Sequence, residues 1–504
     1  MKYFAILILL LSTNCLLSSQ KITWVMGYQN GINDTNEICG KFELKFNNTD
    51  EPQAFCTYNN SILNMLNNQE TICDSSGQLL FYFDGYRIAD KNHEIIENGE
   101  GINSGTVREL YPKGYPSLRG SLILPDPIDK NKWYIFHQYL EYLKNQPSGN
   151  GIFCTNVYYT VIILDTISNR LKVLSKNSPL LINTNSRLVN GHFNAVKHAN
   201  GKDWWIITQE LESNKFFLFR LTGEGIVPRM SITSGLIPSN RDYNSTSVFS
   251  KDGSKFVTCF AQDFIQIFDF DRCAGKLTNS KRIYNEEIHV LSRGFVEISA
   301  DNHFLYASTL NKIWQYDLWS ANIQLSEKLV GIWDTIYYKG LSTSFYTMTR
   351  AIDDKIYISC NSSNLLLHRI NNPNRSGDSC DFKIRAIVLP EYYVDLPQST
   401  NYFLGRLNNS NCDSINTIHT NDILNILVYP VPAQDYLEFD NINQISNLKI
   451  LICNTNGVVL IKSTLVNEDN SNRIDISSLE NGTYFYQISN INHNVLNGKF
   501  IVLR

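Results

Sequence analysis

A unit of about fifty residues recurs along the middle of the chain, and each copy has a polar turn followed by two apolar strands. The turn is clearest at Asp252-Gly253, Asp301-Asn302 and Asp353-Asp354. The spacing is 49 residues from Asp252 to Asp301 and 52 residues from Asp301 to Asp353. Short polar side chains suit such turns because they tolerate a left-handed backbone and bond to their own main chain.

Six copies of this unit are visible. The first strand after each turn covers residues 79–83, 133–136, 204–207, 255–258, 304–307 and 356–358. Two further strand-like runs, residues 22–27 and 41–46, leave material for a seventh copy. We expect that copy to be closed by joining the first and last strands of the domain.

A repeat of this length with two or more strands per copy is typical of β-propeller blades, including WD40-like repeats. Each blade is a small twisted sheet whose faces must be covered by its neighbours, so blades close into a ring. Helical periodicity is nearly absent. The predicted fold class is therefore all-β, with a seven-bladed β-propeller. Stacked β-sandwich domains are the alternative.

The N-terminus has the layout of a secretory signal peptide. Lys2 precedes an apolar run over residues 3–11, and small polar residues follow. We expect cleavage near Ser19 or Gln20. Cys15 suggests lipid attachment as a minor alternative, although Asn14 is bulkier than the residue that usually precedes a lipidated cysteine. No later stretch reaches the roughly 20 apolar residues that a membrane-spanning helix needs, so no transmembrane segment is predicted.

The net charge and the cysteine spacing disfavour several classes of partner and site. The net charge is −4 and the basic residues are scattered, so no nucleic-acid partner is predicted. Ten cysteines follow the signal segment, and this even number in an exported chain permits disulfides. None of them forms a Cys-x-x-Cys pair, which disfavours a zinc or thioredoxin-like site. We expect a loop disulfide between Cys380 and Cys412.

An ordered series of short motifs extends from Trp24 to Phe403. It resembles a family of secreted propellers from the Bacteroidetes that often carry gliding-associated or sorting tails. The family supplies no ligand or reaction. Asp395, before the Leu-Pro step, departs from the glycine that is usual there. The motifs lie at residues 82–85, 97–99, 133–136, 198–205, 268–271, 314–317, 372–374 and 396–397, with Gly377 and Cys380.

The last eighty or so residues form a separate β module. An Asn-rich linker at residues 408–422 has little to bury, and prolines then interrupt the chain at Pro430 and Pro432. The short apolar runs that follow predict an Ig-like β-sandwich of five to seven strands.

This tail resembles the type A C-terminal sorting domain of the type IX secretion system. Val431 departs from the asparagine that is usual between the two prolines. The resemblance implies recognition by the type IX secretion machinery, export through the periplasm to the cell surface or medium, and removal of the tail by proteolysis. An ordinary Ig-like binding domain is the alternative. The matching residues are Tyr429, Pro430, Pro432, Ala433, Asn456, Gly457, Leu479, Gly482, Tyr484, Gly498 and Lys499.

No catalytic motif stands out in the sequence. It has no Gly-x-Ser-x-Gly elbow, no His-Glu-x-x-His pair and no phosphate-binding glycine loop. We therefore predict no catalytic residues, no cofactor and no metal site. Trp204 and Trp205 are interpreted as core residues. His192 and His198, near Asp203, are interpreted as turn-bonding groups. The acidic residues are interpreted as structural: Asp269 and Asp271 alternate at a strand end, and Asp74, Asp84, Asp90, Glu97 and Glu210 lie near turns or loops.

The predicted organisation is a signal peptide (1–20), a β-propeller (21–407), a linker (408–422) and a sorting domain (423–504). The predicted function is an exported, non-catalytic propeller that binds an unknown protein or glycan. The alternative is a secreted hydrolase that acts on polysaccharide or peptide, with its site at the propeller funnel. Such a site needs two carboxylates that converge about 5–10 Å apart. An adhesin used in surface motility is a third hypothesis, which rests on association alone.

Overall fold

The computed structural model describes residues 23–28, 39–46, 51–57, 63–146, 149–182, 186–238, 246–260, 263–285, 294–408, 410, 412, 427–440, 448–454, 459–465, 473–489 and 495–504. The predicted signal peptide, with Ser19 and Gln20, lies outside these residues, as do Asn456, Gly457 and most of the predicted linker. The chain divides into two units, Met1–Asp413 and Ser414–Arg504.

The first unit is built almost entirely of short β-strands, which confirms the all-β prediction. One short helix, α1 (Thr106–Leu110), and two 3-10 turns, Gln324–Ser326 and Gly377–Cys380, are the helical elements of its described residues. The strands are β1 (Thr23–Met26), β2 (Phe42–Lys45), β3 (Gln53–Cys56), β4 (Glu70–Cys73), β5 (Leu79–Phe83), β6 (Ile88–Asp90), β7 (Ser121–Pro125), β8 (Lys132–Gln146), β9 (Gly149–Asp165), β10 (Arg170–Ile182), β11 (Leu188–Lys197), β12 (Trp204–Glu210), β13 (Lys215–Thr222), β14 (Gly225–Thr233), β15 (Thr246–Phe249), β16 (Lys255–Cys259), β17 (Ile265–Asp271), β18 (Lys276–Ile283), β19 (Phe295–Ile298), β20 (Phe304–Ser308), β21 (Lys312–Asp317), β22 (Lys328–Ile332), β23 (Tyr337–Tyr338), β24 (Leu341–Ser342), β25 (Phe345–Arg350), β26 (Ile356–Cys360), β27 (Asn364–Ile370) and β28 (Phe382–Tyr393).

Strands that are consecutive in the chain pair antiparallel, so each sheet is a local meander. The sheets are β1-β2-β3, β4-β5-β6, β15-β16-β17-β18, β19-β20-β21-β22 and β25-β26-β27-β28, with a small hairpin β23-β24. Strands β7 to β14 belong to one eight-stranded sheet. Within it, β9 and β11 are joined at a single position, Leu188 opposite Cys154.

Each sheet packs on the next through a shared apolar cluster, and the last sheet packs on the first. Trp24 in β1 and Phe46, just after β2, join Tyr357 of β26 in one buried cluster. The rings of Trp24 and Tyr357 meet edge to face at 5.8 Å, a geometry that aromatic quadrupoles favour. The first strands β1, β4, β7, β11, β15, β19 and β25 are neighbours in that order. The series of sheets therefore closes on itself.

The repeated polar turns connect the first and second strands of their sheets, and they adopt the predicted left-handed backbone. The residues that do so have φ values of +73° (Gly201), +72° (Gly253), +62° (Asn302) and +63° (Asp354). The serine hydroxyls Ser250 Oγ and Ser299 Oγ each donate 2.6 Å hydrogen bonds to the carboxylates of Asp252 and Asp301. The periodic Asp positions in the sequence therefore shape the turns.

Residues 394–407, named here the crossing segment, leave β28 and run across the first unit without forming a strand. Tyr402 is buried and donates a 2.7 Å hydrogen bond to the carbonyl of Ile123. The other partners lie on different sheets or their turns. Thr347 and Thr349 bond to Asp395 and Pro397, Gln398 donates to Arg119 and Ser121, Asn401 donates to Lys251, and Leu407 donates to Ala199.

The expectation that the first and last strands share one sheet is wrong for the described residues. The sheet that contains β1 is made of β1, β2 and β3, all from the N-terminal end. The crossing segment links the sheets through side chains instead, because its buried polar groups find partners on several sheets rather than along one strand edge.

The second unit has two antiparallel sheets that share one apolar core. The strands are β29 (Leu427–Tyr429), β30 (Tyr436–Asp440), β31 (Leu448–Cys453), β32 (Val459–Leu465), β33 (Arg473–Asp475), β34 (Gly482–Ser489) and β35 (Val495–Val502). The sheet orders are β29-β30-β33 and β32-β31-β34-β35. Leu437 and Phe439 of the smaller sheet and Ile450 and Phe500 of the larger sheet belong to the same buried cluster.

We predict that Gly201→Ala destabilises the protein more than Gly340→Ala. Both glycines have positive φ, +73° and +79°, so both substitutions carry a backbone cost of about 1 kcal/mol. A Cβ at Gly201 would also lie 2.6 Å from the main-chain N of Arg406 in the crossing segment, whereas one at Gly340 would meet nothing within 4 Å. We expect a loss of about 2–4 kcal/mol for Gly201→Ala in urea unfolding of the full chain. Equal losses in the two variants would contradict this account.

We also predict that Arg272→Ala loosens the crossing segment. The buried guanidinium donates to the carbonyls of Lys197 (2.9 Å), His198 (3.2 Å), Asp252 (3.3 Å) and Gly405 (2.5 Å). Each carbonyl left unpaired costs about 1–3 kcal/mol, so we expect a loss of about 3 kcal/mol or more. Arg282→Ala is the control, because Arg282 is exposed and lies over the Tyr284 ring. Thermal unfolding that is the same for both variants would refute the prediction.

Candidate functional site

The two histidines singled out in the sequence hold the structure together. Nδ1 of His192 lies 2.9 Å from Oε1 of Gln209, and its Nε2 lies 3.3 Å from the carbonyl of Cys259. In the turn after β11, Nδ1 of His198 accepts a 3.0 Å hydrogen bond from the main-chain N of Asn200. Burial lowers the pKa of His198 despite the carboxylate of Asp203 nearby. The interpretation of His198 as a turn residue is confirmed, whereas His192 lies within β11 and bonds across strands.

The acidic candidates also bond to their surroundings. The buried carboxylate of Asp84 accepts from the main-chain N of Tyr86 at 2.9 Å and pairs with the guanidinium of Arg87 at 2.9 Å. Glu210 accepts a 2.5 Å hydrogen bond from Ser186 Oγ. Glu97 is exposed. Asp74, Asp90 and Asp271 accept from the main-chain N two residues further on, and Asp269 pairs with Lys255.

The two tryptophans are core residues, as predicted. Trp204 and Trp205 alternate along β12 and join different buried clusters, so they face opposite sides of the sheet. Trp204 meets the ring of Tyr402 in the crossing segment at 5.6 Å. The indole N of Trp205 donates to the carbonyl of Arg272 at 2.8 Å.

A cysteine and a histidine that the sequence did not connect lie side by side on neighbouring strands. Sγ of Cys360 is 3.4 Å from Nε2 of His368, and both residues are fully buried. Burial raises the pKa of Cys360 to about 12 and lowers the pKa of His368 to about 3. Both groups are therefore neutral at ordinary pH, whereas a nucleophilic pair needs a thiolate. This pair is a packing contact.

A cavity of about 550 Å³ opens beside the crossing segment, and it is the candidate functional site. Three consecutive sheets each contribute their first turn to its wall, and residues 398–405 of the crossing segment form the opposite wall. The three turns, named here the wall turns, are residues 250–254, 299–303 and 351–354. Its volume falls within the range of roughly 300–1,000 Å³ for small-molecule sites.

The wall turns are bonded to one another by a charged pair. The ammonium of Lys251 lies 2.7 and 2.9 Å from the two carboxylate oxygens of Asp354. The main-chain N of Lys251 donates to Oδ1 of Asn302 at 3.0 Å. About 42% of the Lys251 side chain and 44% of the Asp354 side chain are exposed. This ion pair therefore lies on the accessible wall of the cavity, where solvent screens it.

The other charged groups that line the cavity also have hydrogen-bond or ion-pair partners. Arg350 donates to the carbonyl of Ile298 at 2.6 Å and lies 3.7 Å from the buried carboxylate of Glu297. Asp252 accepts from Ser250 and Ser254. The cavity therefore presents paired charges, amides and hydroxyls beside apolar side chains such as Ile352 and Phe403.

Sequence reasoning recognised the wall turns but missed the cavity. The available signal was the position before the repeated Asp, which holds Lys251 in one turn and Ala300 and Ile352 in the other two. A charged residue at one copy of a repeated turn is not needed for the turn itself, so it indicates a local role.

The disulfides differ from the expected pairing. Cys412 bonds to Cys273 rather than Cys380, with 5.8 Å between the Cα atoms. Cys380 is buried and forms no disulfide. Cys273 lies in the turn after β17, beside the end of the crossing segment, so the bond ties that end to the sheets. A second disulfide joins Cys39 and Cys56.

The described part of the chain has neither a metal-binding cluster nor a membrane-spanning helix. No three His, Cys, Asp or Glu side chains among these residues come together to hold a metal ion. No helix within the same ranges has the length and apolar character to cross a membrane.

In the second unit, the predicted sorting residues that the structure describes gather near one end of β34 and β35. Ala433 is buried and forms a parallel bridge with Val502 at the end of β35: its N donates to the carbonyl of Ile501 (2.7 Å), and its carbonyl accepts from the N of Leu503 (2.9 Å). Tyr484 stacks on Phe500 at 5.7 Å. Of the others, Leu479 is buried, Gly482 and Gly498 lie in β34 and β35, Lys499 and Tyr429 are exposed, and Pro430 and Pro432 follow β29.

Arg504 fastens this end of the unit. Its guanidinium donates to the carbonyls of Leu479 at 2.6 Å, Gln434 at 2.9 Å and Ile476 at 2.9 Å. The guanidinium also pairs with Asp435 at 3.1 Å. The segments that carry the predicted motif are thus linked to the last residue of the sequence.

Comparison with known proteins identifies this second unit. Residues 427–503 match the family model described as a secretion system C-terminal sorting domain. A search of curated proteins finds no match to the chain.

Solved structures resemble the chain only distantly. A 6-phosphogluconolactonase candidate from Bacteroides fragilis is 11% identical, with a TM-score of 0.39, over 74% of this chain and 96% of that one. A protein of unknown function from Desulfotomaculum acetoxidans is 13% identical, with a TM-score of 0.36, over 74% and 99%. A periplasmic gluconolactonase from Pseudomonas aeruginosa is 12% identical, with a TM-score of 0.31, over 63% and 93%. At these scores the likenesses bear on neither activity nor ligand.

The sorting domain accounts for the destination of the protein. Domains of this kind mark proteins that the type IX secretion system exports to the cell surface or extracellular space, and they interact with that machinery. The predicted localisation is therefore confirmed.

Proposed function

We propose that the first unit is a seven-bladed β-propeller that serves as a non-catalytic binding scaffold, and that its cavity takes a neutral saccharide. The sorting domain delivers this scaffold outside the cell. The observation that carries the proposal is the cavity between the wall turns and the crossing segment, in which every lining charge has a partner within the protein.

The proposed number of blades is based on how the strands group into sheets. Division of the eight-stranded sheet at its single joint, Leu188 opposite Cys154, leaves β7–β10 and β11–β14 as two separate meanders. Together with the other five sheets of three or four strands they make seven, one for each of the first strands that neighbour one another. The cluster of Trp24 with Tyr357 supports closure of the ring.

The ligand class follows from the lining of the cavity. Since Lys251 pairs with Asp354 and Arg350 lies beside Glu297, the cavity offers little net charge to attract an ionic ligand. Amide, hydroxyl and paired charged groups suit the hydroxyls of a sugar, and the apolar side chains suit the C–H faces of its ring.

For the tail we propose an Ig-like sandwich that carries the sorting signal in the motif residues around β34 and β35. We also propose the domain limits 21–407, 408–422 and 423–504, after a signal peptide at residues 1–20. Proteolytic removal of the tail after export, which the resemblance to type A sorting domains implies, belongs to the same proposal.

The hydrolase alternative stays a prediction. A funnel site needs two carboxylates free to act as acid and base. Within the described ranges, the two carboxylates that line the cavity, Asp252 and Asp354, are bound by serine hydroxyls and by Lys251. Nothing in these contacts favours hydrolysis over binding.

Substitution of the motif glycines tests the sorting role. A Cβ at Gly498 would lie 2.2 Å from the ring of Tyr486, whereas the nearest atom to one at Gly482 would be 3.8 Å away. We expect Gly498→Ala to destabilise the tail by about 1–3 kcal/mol and to leave full-length protein in the periplasm. Gly482→Ala should fold normally. Fractionation of cells that carry a type IX system measures both.

A deletion from Asn421 onward supplies the reference for complete loss of export. This truncated chain should accumulate in the periplasm. Its normal appearance outside the cell would defeat the sorting role.

Loss of the ion pair tests the binding role. We expect Lys251→Ala to weaken the binding of neutral oligosaccharides by about tenfold, because it removes a donor from the cavity wall, with little effect on folding since exposed pairs contribute roughly 0–1 kcal/mol. The matched control is Lys255→Ala, which breaks the pair with Asp269 outside the cavity. Calorimetric titration of the full chain measures both. Unchanged affinity in Lys251→Ala would refute the cavity as the site.

A further inference from the structure

Trp319 is the exposed member of the seven tryptophans, all of which lie in described residues. About 67% of its surface is accessible, whereas the other six are buried or half-buried. It follows β21 in a turn whose neighbours Leu318 and Ile323 are buried. Much of the indole is therefore accessible to a ligand.

The indole is held in place by a column of rings. It stacks on the imidazole of His303 with centroids 3.8 Å apart and planes 13° apart. His303 stacks in turn on Phe304, at 4.0 Å and 22°. Phe304 is 4% exposed and belongs to a core cluster. The indole, named here the platform, is therefore supported from the core outward by two rings, Phe304 and His303.

One carboxylate contacts both the His303 ring and the backbone of Trp319. Oδ1 of Asp317 accepts a 2.8 Å hydrogen bond from the main-chain N of Trp319 and lies 3.1 Å from Nε2 of His303. The orientation of the indole is thus set before any ligand arrives. A rigid aromatic surface loses little conformational entropy when it binds, which strengthens binding.

The base of the platform is adjacent in sequence to residues that line the cavity. His303 is the last residue of the wall turn 299–303, and Ala300 and Asn302 of that turn line the cavity. The chain thus passes from the lining of the cavity to the base of the ring column within a few residues.

The charges around the platform select against an acidic ligand. Two carboxylates contact His303: Oδ1 of Asp301 accepts a 3.1 Å hydrogen bond from its main-chain N, and Oδ1 of Asp317 lies 3.1 Å from its Nε2. Asp301 is exposed. An anionic polymer would be repelled here. The C–H groups of a neutral pyranose carry a small positive charge that matches the negative face of an indole.

We propose that Trp319, supported by His303 and Phe304, is a sugar-stacking subsite that extends the cavity, so that the ligand is a neutral oligosaccharide rather than a single sugar. This inference rests on the proposed saccharide-binding function. It adds a second subsite on the outer side of the wall turn.

The test compares long and short neutral sugars on the full chain. The probes are gluco-, manno- and galacto-configured hexasaccharides and the matching disaccharides, with an oligogalacturonate as the acidic arm. In Trp319→Ala we expect hexasaccharide affinity to fall by about fivefold to tenfold, while disaccharide affinity stays within twofold. Trp319→Phe should recover most of the loss. Tyr337→Ala removes another exposed aromatic side chain, 61% accessible, and should have no effect.

A second readout follows the indole directly. Tryptophan emission should shift to shorter wavelength when the hexasaccharide binds the wild type, and Trp319→Phe should lack this shift. Thermal unfolding of Trp319→Ala should match the wild type, since the side chain is mostly exposed.

The outcomes separate the two proposals. If Lys251→Ala weakens hexasaccharide binding and Trp319→Ala does not, the cavity stands and the stacking subsite is overturned. A loss in Trp319→Ala alone would support the subsite and overturn the cavity as part of the site. Absence of any neutral saccharide binding by the wild type would overturn both, and tighter binding of the oligogalacturonate would overturn the charge argument.

Discussion

The first unit depends on the crossing segment at residues 394–407. A closed series of small sheets has a weak point where the two ends of the chain meet, because the last sheet and the first sheet are not linked by a loop. Here the apolar cluster of Trp24 and Tyr357 covers that point. The crossing segment then bonds to sheets far from both ends, through polar side chains such as Gln398 and the buried Tyr402. Closure is therefore distributed over many side-chain contacts.

The same segment creates the site. Because residues 398–405 form one wall of the cavity, the contacts that close the fold also set the shape of the proposed binding site. Arg272 and the Cys273–Cys412 disulfide hold the far end of the segment. If the cavity is the binding site as proposed, binding and stability are coupled through this segment, and variants of the segment need both to be measured. The tail has an apolar core of its own.

The sequence revealed the parts of the fold that repeat and missed the parts that occur once. The strands that follow each polar turn, such as β16 and β20, were predicted because the Asp-Gly and Asp-Asn turns mark where they begin. Apart from β1, the first strands, such as β15, were missed, since four buried residues in a row show no alternation. The crossing segment has neither periodicity nor turn signals. The pairing of Cys273 with Cys412, 139 residues apart, depends on tertiary structure alone. The cavity and the Trp319 platform were missed for the same reason.

Burial decides what chemistry the titratable groups can perform. Cys360 and His368 are close enough for a nucleophilic pair, yet desolvation keeps the thiol protonated and the imidazole neutral. His137 is likewise buried, and its pKa is lowered to about 3. The groups that reach solvent at the cavity are instead charges already paired, and the exposed indole is apolar. Such a surface can recognise the shape of a ligand, but its paired charges and apolar indole are poorly suited to proton transfer. These features are consistent with the binding role proposed for the first unit.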